Sequence, residues 1–284
     1  MYEMRTLMAD VLTPPLLDMS TNASPIFTLF DTEVVDEITA DHLLRLASGV
    51  LGAVRVRGFG TAEQCAQIMS TLDDHPMGGY DEAVVYPPVA KLGPAAYDFY
   101  GAHELNADYW QQAAWAAKIR STLLGGTDPL DHATSRLRKA WNGPTVPATS
   151  GGRPLFAGMI RETTTGMKMH FDEIERELPG ALDPRPVCQL AFNWYVSMPE
   201  SGGDTVVYRR RWMPSDEAHR DGYGWAESMV DGVPFATARP ETGDVIIFDP
   251  RNYHVVRPNS GDGRRVSLSF FLGVTGRGEL VYWS

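Results

Sequence analysis

The stretch Val187–Met198, "VCQLAFNWYVSM", alternates between two kinds of residue along its length. In a β-strand, residues two apart point to the same face. One face would be wholly apolar and the other small or polar, which predicts a strand with helices behind it and a cavity in front. The apolar face carries Cys188, Leu190, Phe192, Trp194, Val196 and Met198, and the polar face carries Gln189, Ala191, Asn193, Tyr195 and Ser197.

Similar strand-like runs continue from Pro154 to the end of the chain, separated by turn-forming segments such as "PESGG", "PETG" and "NSGDG". Short strands at this spacing are typical of an antiparallel barrel or a double-sheet jelly roll. In the run "RVSLSFFLGV", Arg265, Ser267 and Ser269 share one face and apolar residues the other. The further runs are "LFAGMIRE" (155–162), "MKMHFD" (167–172), "DTVVYRRRW" (204–212), "GDVIIFD" (243–249) and "YHVVRP" (253–258).

The first half of the chain is different and favours helices. Thr39 and Thr61 stand where helix N-caps are preferred, and Thr61 with Gln64 has the spacing of a capping box. We predict an irregular arm over residues 1–25, helices over 39–51, 61–74 and 109–124, and a short strand in 52–60. The expected fold class is α+β, in a single domain of residues 1–284: a mainly helical support with substrate loops (1–150) and a jelly-roll core (151–284).

Two segments are open to more than one interpretation. Residues 76–104 hold four tyrosines among Gly and Pro, as either a packed surface loop or a substrate-facing loop. Residues 213–235 are either a lid between strands or a disordered insertion.

Composition narrows the function classes. The formal net charge of -11 argues against nucleic acid as a partner, because such a surface needs clustered Lys and Arg. The 2 cysteines are far apart, which favours a reducing, cytoplasmic location. No apolar run reaches membrane-spanning length and the first residues do not resemble a signal peptide. The oligomeric state is not predicted.

The stretch "MKMHFDE" contains His170 and Asp172, two positions apart in an extended-looking run. A His followed two positions later by an acid is expected about once by chance in this composition, so the pair alone says little. On one strand face, however, the two could grip one ion, and non-haem Fe(II) sites use two His and one carboxylate. Of the remaining histidines, only His254 lies on a strand-like run of the second half.

A basic residue lies a short distance after His254 in the sequence. Arg265, eleven residues after His254, lies on the polar face of its run, with Ser267 two residues further on. The adjacent Arg264 shares a face with Val266 and is therefore the less suitable candidate. Gln189 and Asn193 face the same predicted cavity, and whether they bind a co-substrate or only satisfy each other is open. Arg161 could bind a substrate carboxylate or form an ordinary ion pair.

With these residues, the chain resembles the Fe(II)/2-oxoglutarate-dependent oxygenases, whose H-x-D, distal His and Arg pattern falls on His170, Asp172, His254 and Arg265. More narrowly, it is similar to the freestanding aliphatic halogenases of indole-alkaloid biosynthesis and their hydroxylase relatives. The segments "PESGGDTVVYRRRW", "GDVIIFDPRNYH" and "VYWS" carry that similarity, which is strongest from Gln189 to Ser284 and thin before Val54.

The resemblance implies that His170, Asp172 and His254 are the catalytic metal ligands for Fe(II), that Arg265 and Ser267 hold the far carboxylate of 2-oxoglutarate, and that O2 is consumed. The halogenases have a small residue where this chain has Asp172, and chloride binds in that vacancy. Asp172 therefore implies a hydroxylase of a small molecule, releasing succinate and CO2, in natural-product biosynthesis. Desaturation, cyclisation or epimerisation at the same site, or a non-catalytic cupin-like binding protein, are the alternatives.

Overall fold

The computed structural model describes residues 29–102 and 104–284, so the predicted arm over residues 1–25 lies outside the described residues. Thr39, Thr61, Asn106 and Asp128 cap the four longer helices, and both Thr39 and Thr61 complete capping boxes. These helices confirm the three helical predictions and add α4, which was not delimited from the sequence. The helices are α1 (Ala40–Ala47), α2 (Ala62–Asp73), α3 (Ala107–Arg120), α4 (Pro129–Trp141) and the short α5 (Ile174–Glu177).

The strands form a large and a small sheet, with two hairpins beside them. The large sheet contains β1 (Thr32–Val35), β2 (Ala53–Val56), β3 (Gly78–Gly79), β4 (Ala90–Leu92), β5 (Thr145–Pro147), β8 (Met159–Glu162), β10 (Pro186–Ser197), β15 (Val245–Phe248), β17 (Val266–Thr275) and β18 (Leu280–Trp283). The small sheet contains β9 (Met167–His170), β11 (Thr205–Arg211), β14 (Phe235–Ala238) and β16 (Asn252–Val256). The hairpins are β6 (Thr149–Ser150) with β7 (Arg153–Pro154), and β12 (Arg220–Asp221) with β13 (Gly224–Trp225).

The large sheet has the order β1-β2-β15-β10-β17-β8-β4-β3, with β18 and β5 joined beside β17. The small sheet has the order β14-β11-β16-β9. The central pairs of both sheets are antiparallel, as a jelly roll requires. Strands from the first 150 residues belong to the large sheet, so the sheet does not follow the division drawn at residue 150, and the domain organisation stays a prediction.

The predicted strand Val187–Met198 is confirmed as β10, in the middle of the large sheet. Its apolar face packs into the main core beneath the helices, where Phe192 and Trp194 are fully buried. The loop before α2 passes so close to this face that a side chain at Gly60 would meet the Trp194 ring within 2.2 Å. The loop before α2 therefore packs closely against the apolar face of β10.

The opposite face of β10 looks toward the small sheet. A cavity between the sheets is lined by Asn193 and Tyr195 of β10, Ser267 of β17, and Thr205 and His254 of the small sheet. This arrangement confirms the predicted jelly-roll core and the predicted cavity in front of the strand. None of the described helices is both long and apolar enough to cross a lipid bilayer.

One prediction about local structure was wrong. The strand β9 ends at His170, so Asp172 lies in the irregular segment before α5 and not on the strand. The departure has a visible cause, since the Asp172 N–H donates to the Pro250 carbonyl oxygen at 2.9 Å. The chain turns toward the loop before β16 instead of continuing the ladder.

Candidate functional site

Two histidines and one carboxylate converge at the mouth of the inter-sheet cavity. His170 and His254 are directly paired in neighbouring strands β9 and β16, and their ring centroids are 4.2 Å apart. The Asp172 carboxylate reaches both rings, with Oδ1 3.9 Å from His170 Nε2 and Oδ2 3.5 Å from His254 Nε2. One ligand atom from each residue lies within 4.8 Å of the others. A single ion could therefore contact all three.

Hydrogen bonds set the tautomer of both histidines. His170 Nδ1 lies 2.7 Å from the Lys168 carbonyl oxygen, and His254 Nδ1 lies 3.0 Å from the Asn252 carbonyl oxygen. A carbonyl only accepts, so each Nδ1 carries the proton and each Nε2 lone pair is left free. Such backbone contacts to the far ring nitrogen are the usual way in which metal-ligating histidines are oriented.

The protonation states also fit a metal cation. Burial, helped by the nearby His254, lowers the pKa of His170 to about 4, so this imidazole is neutral at pH 7. Burial alone would raise the pKa of Asp172, but His170, His254 and Arg161 outweigh it and keep the carboxylate ionised. Metal ligands must be deprotonated, and this set offers the neutral imidazole of His170, the imidazole of His254 and one anionic oxygen.

The backbone of Asp172 is held by residues outside the three. Besides the Pro250 contact, the Gln189 amide donates to the Asp172 carbonyl oxygen at 3.3 Å and accepts from the Ile174 N–H at 3.0 Å. Gln189 is buried and faces the Asp172 segment instead of the inter-sheet cavity. It is not hydrogen-bonded to Asn193 and does not line the inter-sheet cavity, and its role as a co-substrate ligand stays a prediction.

Arg265 is buried in the wall of the inter-sheet cavity, with 3% of its surface exposed. Its guanidinium donates to Gly203 O at 2.9 Å, to Thr163 Oγ1 at 2.5 Å and, through one nitrogen, to Thr205 Oγ1 and Tyr195 Oη. These acceptors are all neutral, and burial lowers the pKa of the group. No carboxylate of the described residues forms a salt bridge with it. Burying a charge without a counter-ion is energetically unfavourable, so an anion bound in this cavity would stabilise the Arg265 guanidinium.

Arg264 behaves as the strand alternation predicts. Its side chain lies outside the cavity and pairs with Glu162 at 2.8 Å and Asp73 at 2.6 Å. Ser267 lines the cavity next to Arg265, and its hydroxyl is 2.9 Å from Ser269 Oγ. Asn193 lines the cavity too and accepts from Arg161 at 3.3 Å.

A second, mostly apolar cavity borders His170 and Asp172. Its walls include Tyr80 and Tyr97 from segment 76–104 and Tyr223 from segment 213–235, together with Phe171 and Met167. The enclosed space is about 70 Å³, and Tyr80, Val85 and Tyr97 also border a larger outer cavity of about 690 Å³. We call these the inner and outer substrate cavities.

The two segments left open by the sequence meet over this site. Val85, Val89 and Tyr223 form one buried cluster, and the Tyr223 hydroxyl accepts from the Lys168 N–H at 2.7 Å. Segment 213–235 is therefore ordered into two short 3₁₀ helices and the β12–β13 hairpin. The inner cavity also contains Glu177, a carboxyl that the sequence analysis did not single out and that no spacing rule would have found.

Comparison with known proteins identifies the family. The family model described as "Carrier-protein-independent halogenase WelO5" matches residues 27–284. The chain belongs to this family. The match begins well before Val54, so the similarity extends further toward the N-terminus than the sequence motifs indicated.

Individual relatives agree with this assignment. The L-gamma-glutamyl-L-propargylglycine hydroxylase of Streptantibioticus cattleyicolor is 42% identical over 250 residues, covering 87% of this chain and 93% of that protein. The leucinostatins biosynthesis cluster protein S of Purpureocillium lilacinum is 26% identical over 202 residues, covering 66% of this chain and 81% of that protein. The crystal structure of an N-substituted L-amino acid dioxygenase from Burkholderia ambifaria, in complex with alpha-KG, shares the fold, with a TM-score of 0.56 at 14% identity and coverage of 86% and 91%.

The chain is thus an Fe(II)- and 2-oxoglutarate-dependent oxygenase of the hydroxylase type, acting on a small molecule. The donor set fits Fe(II), since it is two imidazoles and one carboxylate with ligand atoms within 4.8 Å. The buried Arg265 fits a dicarboxylate co-substrate. The resemblance stated from the sequence motifs is confirmed.

Proposed function

We propose that His170, Asp172 and His254 hold Fe(II), and that the cation of Arg265 pairs with the far carboxylate of 2-oxoglutarate across the inter-sheet cavity. The observation that carries this assignment is that one cavity is lined both by the three ligand-type side chains and by a buried guanidinium that has no salt bridge among the described residues. A salt bridge to that carboxylate would give Arg265 the anion that it lacks in the protein itself. When bound, the iron would supply the redox chemistry by which O2 oxidises 2-oxoglutarate and the substrate.

The neighbouring residues take supporting roles in this proposal. The Ser267 hydroxyl donates to the same carboxylate as Arg265, and Asn193 holds Arg161 at the boundary between the two cavities. Gln189 positions Asp172 by fixing its carbonyl oxygen. The tyrosines of segments 76–104 and 213–235 exclude water from the inner substrate cavity, which protects a reactive site from side reactions.

Asp172 favours hydroxylation over halogenation. In the proposed site its carboxylate fills the coordination position that a halide would need, in agreement with the hydroxylase relative. That relative is named for a γ-glutamyl amino acid, which supports an amino-acid-derived substrate here and a role in natural-product biosynthesis. The two buried free cysteines, Cys65 and Cys188, support the proposed cytoplasmic location. Desaturation, cyclisation and epimerisation are the other outcomes that the product analysis below separates.

The test is oxidation of defined small molecules by the purified protein. Protein with Fe(II), 2-oxoglutarate and O2 is supplied with L-γ-glutamyl-L-propargylglycine, free amino acids and indole compounds, at high chloride. We expect substrate-dependent succinate and a product heavier by one oxygen atom. A chlorinated product from the unmutated chain would show that Asp172 is not an iron ligand. The variant His254→Ala, which should stay folded without binding iron, is the negative control.

A further inference from the structure

Two ionisable side chains, a guanidinium and a carboxyl, line the inner substrate cavity, and neither is used by the iron or the co-substrate in the proposed function. We propose that Arg161 and Glu177 are specificity residues that select a zwitterionic, amino-acid-like substrate: Glu177 binds its ammonium group and Arg161 binds its carboxylate. This inference rests on the proposed function and names the substrate class of the same site.

Arg161 projects from β8 into the wall shared by the inner substrate cavity and the inter-sheet cavity. Its guanidinium donates to Asn193 Oδ1 at 3.3 Å and lies beside the Tyr80 hydroxyl, both of which are neutral. Among the described residues, no carboxylate forms a salt bridge with it. The adjacent Glu162 points to the other side of the strand, where it pairs with Arg264. The ordinary ion pair considered for Arg161 is therefore not formed.

Glu177 is the last residue of the short helix α5, and its side chain lines the inner substrate cavity. Its Oε1 accepts from the Glu173 N–H at 3.2 Å. The other acids of this segment have cations: Glu175 lies 3.1 Å from Arg185, and Glu173 lies 4.0 Å from Arg176. In the described part of the chain, Glu177 has no such partner. Burial, together with the charge of Asp172, raises its pKa to about 8.

The chemistry of the cavity explains why a zwitterion suits it. A cation beside Glu177 would favour the ionised carboxylate, and a divalent metal on Asp172 would cancel the second cause of its raised pKa. A partly buried guanidinium without a salt bridge is unfavourable, and the Glu177 carboxyl ionises readily only beside a cation, so a ligand with a carboxylate and an ammonium group supplies both partners. Between them, Tyr80, Tyr97 and Phe171 offer an apolar and aromatic wall for a side chain.

Arg161 has one competing role, because it also borders the inter-sheet cavity. There it would contact the co-substrate carboxylate nearest the metal instead of the substrate. The two roles differ in which affinity falls when the guanidinium is removed, so a binding experiment distinguishes them.

The experiment measures binding by calorimetry, using protein loaded with Mn(II) and 2-oxoglutarate so that no turnover occurs, and repeats it on metal-free protein. The probes are L-γ-glutamyl-L-propargylglycine, L-norvaline and L-leucine, with 3-methylindole as the uncharged comparison. The tightest zwitterion is then compared with its N-acetyl and its carboxamide derivatives. The variants are Glu177→Gln and Arg161→Gln. Their matched controls are Glu175→Gln, in the same helix, and Arg264→Gln, which pairs with the residue next to Arg161.

We expect a double-mutant-cycle pattern. N-acetylation should weaken binding to the unmutated protein by roughly ten- to a hundred-fold, the usual range for a hydrogen bond to a charged group, but should have little effect on Glu177→Gln. The carboxamide should behave in the same way with Arg161→Gln. The two control variants should bind all probes like the unmutated protein, and none of the variants should change the affinity for 2-oxoglutarate.

Several results would overturn the inference. Zwitterions that bind no more tightly than 3-methylindole would show that the cavity does not select charge. Additive effects of probe and variant would show that Glu177 and Arg161 do not touch the substrate. A weakened 2-oxoglutarate affinity in Arg161→Gln, without the carboxamide effect, would assign Arg161 to the co-substrate. A failure of the proposed function looks different: Mn(II) and 2-oxoglutarate would not bind, while the metal-free titrations would still report on the cavity.

Discussion

Replacing Arg265 by alanine should remove the anchor of 2-oxoglutarate while leaving the metal ligands in place. Arg265 is 3% exposed and its N–H groups donate to neutral acceptors. In the proposed function its charge is therefore compensated only when a co-substrate carboxylate is bound. Losing one partner of a buried charge pair costs about 2–5 kcal/mol, which corresponds to a rise of about 30- to 4,000-fold in the Kd for 2-oxoglutarate. Arg264→Ala is the matched control, since Arg264 is ion-paired outside the cavity.

Thermal unfolding offers a direct assay of this prediction. At a 2-oxoglutarate concentration 100 times its Kd, with Mn(II) present, the unmutated protein should gain about 2.7 kcal/mol in its free energy of unfolding. Arg265→Ala should gain at most about 0.9 kcal/mol at the same concentration, and Arg264→Ala should gain the full amount. If Arg264→Ala lost the stabilisation and Arg265→Ala kept it, the assignment of the two arginines to opposite sides of the segment that leads into β17 would be refuted.

Further predictions concern the metal ligands and the groups around them. His254→Ala should lose most of its bound Fe(II) by metal analysis while its circular dichroism is unchanged, and full iron occupancy in that variant would contradict the assignment. Gln189→Leu should lower the Fe(II) affinity by about 10- to 100-fold, because it frees the Asp172 backbone, and excess Fe(II) should restore turnover; unchanged affinity would mean that Pro250 alone positions Asp172. In metal-free protein, the raised pKa of Glu177 means that its folded form stays protonated, so the free energy of unfolding should fall as the pH rises from 4.5 toward about 8. Glu177→Gln should remove that part of the pH dependence, although Asp172 and Glu173 remain beside it, and an unchanged profile would refute the raised pKa.

Much of the fold followed from the sequence because strand alternation and helix caps are local signals. Thr39 and Thr61 cap their helices as predicted, and the faces of β10 and β17 point as their side-chain pattern indicated. The same alternation separated Arg265 from Arg264. These features depend on residues close together in the chain, where the period of two or the capping geometry leaves little choice.

The rest depended on contacts between distant segments. Asp172 was expected on a strand, but its N–H is drawn to Pro250, about eighty positions away in the chain, and the strand stops at His170. Gln189 was expected in the cavity, but the turn toward α5 brings Asp172 and Ile174 to its amide first. Glu177 carried no signal at all, since one acid at the end of a four-residue helix is ordinary until the tertiary structure leaves it without a cation.

The same contacts explain how a member of a halogenase family can be a hydroxylase. Asp172 is held at both its N–H and its carbonyl oxygen. Exchanging the residue at position 172 would nevertheless not by itself convert one activity into the other. In Asp172→Gly, Pro250 and Gln189 would still fix the backbone, so the vacancy should open without collapse of the segment. Whether chloride or a hydroxyl then reaches the substrate depends on positioning at the scale of about 1 Å. That positioning is set by the walls of the inner substrate cavity, which this chain lines with charged residues and tyrosines. We therefore expect efficient halogenation to require changes in the substrate cavity as well as at position 172.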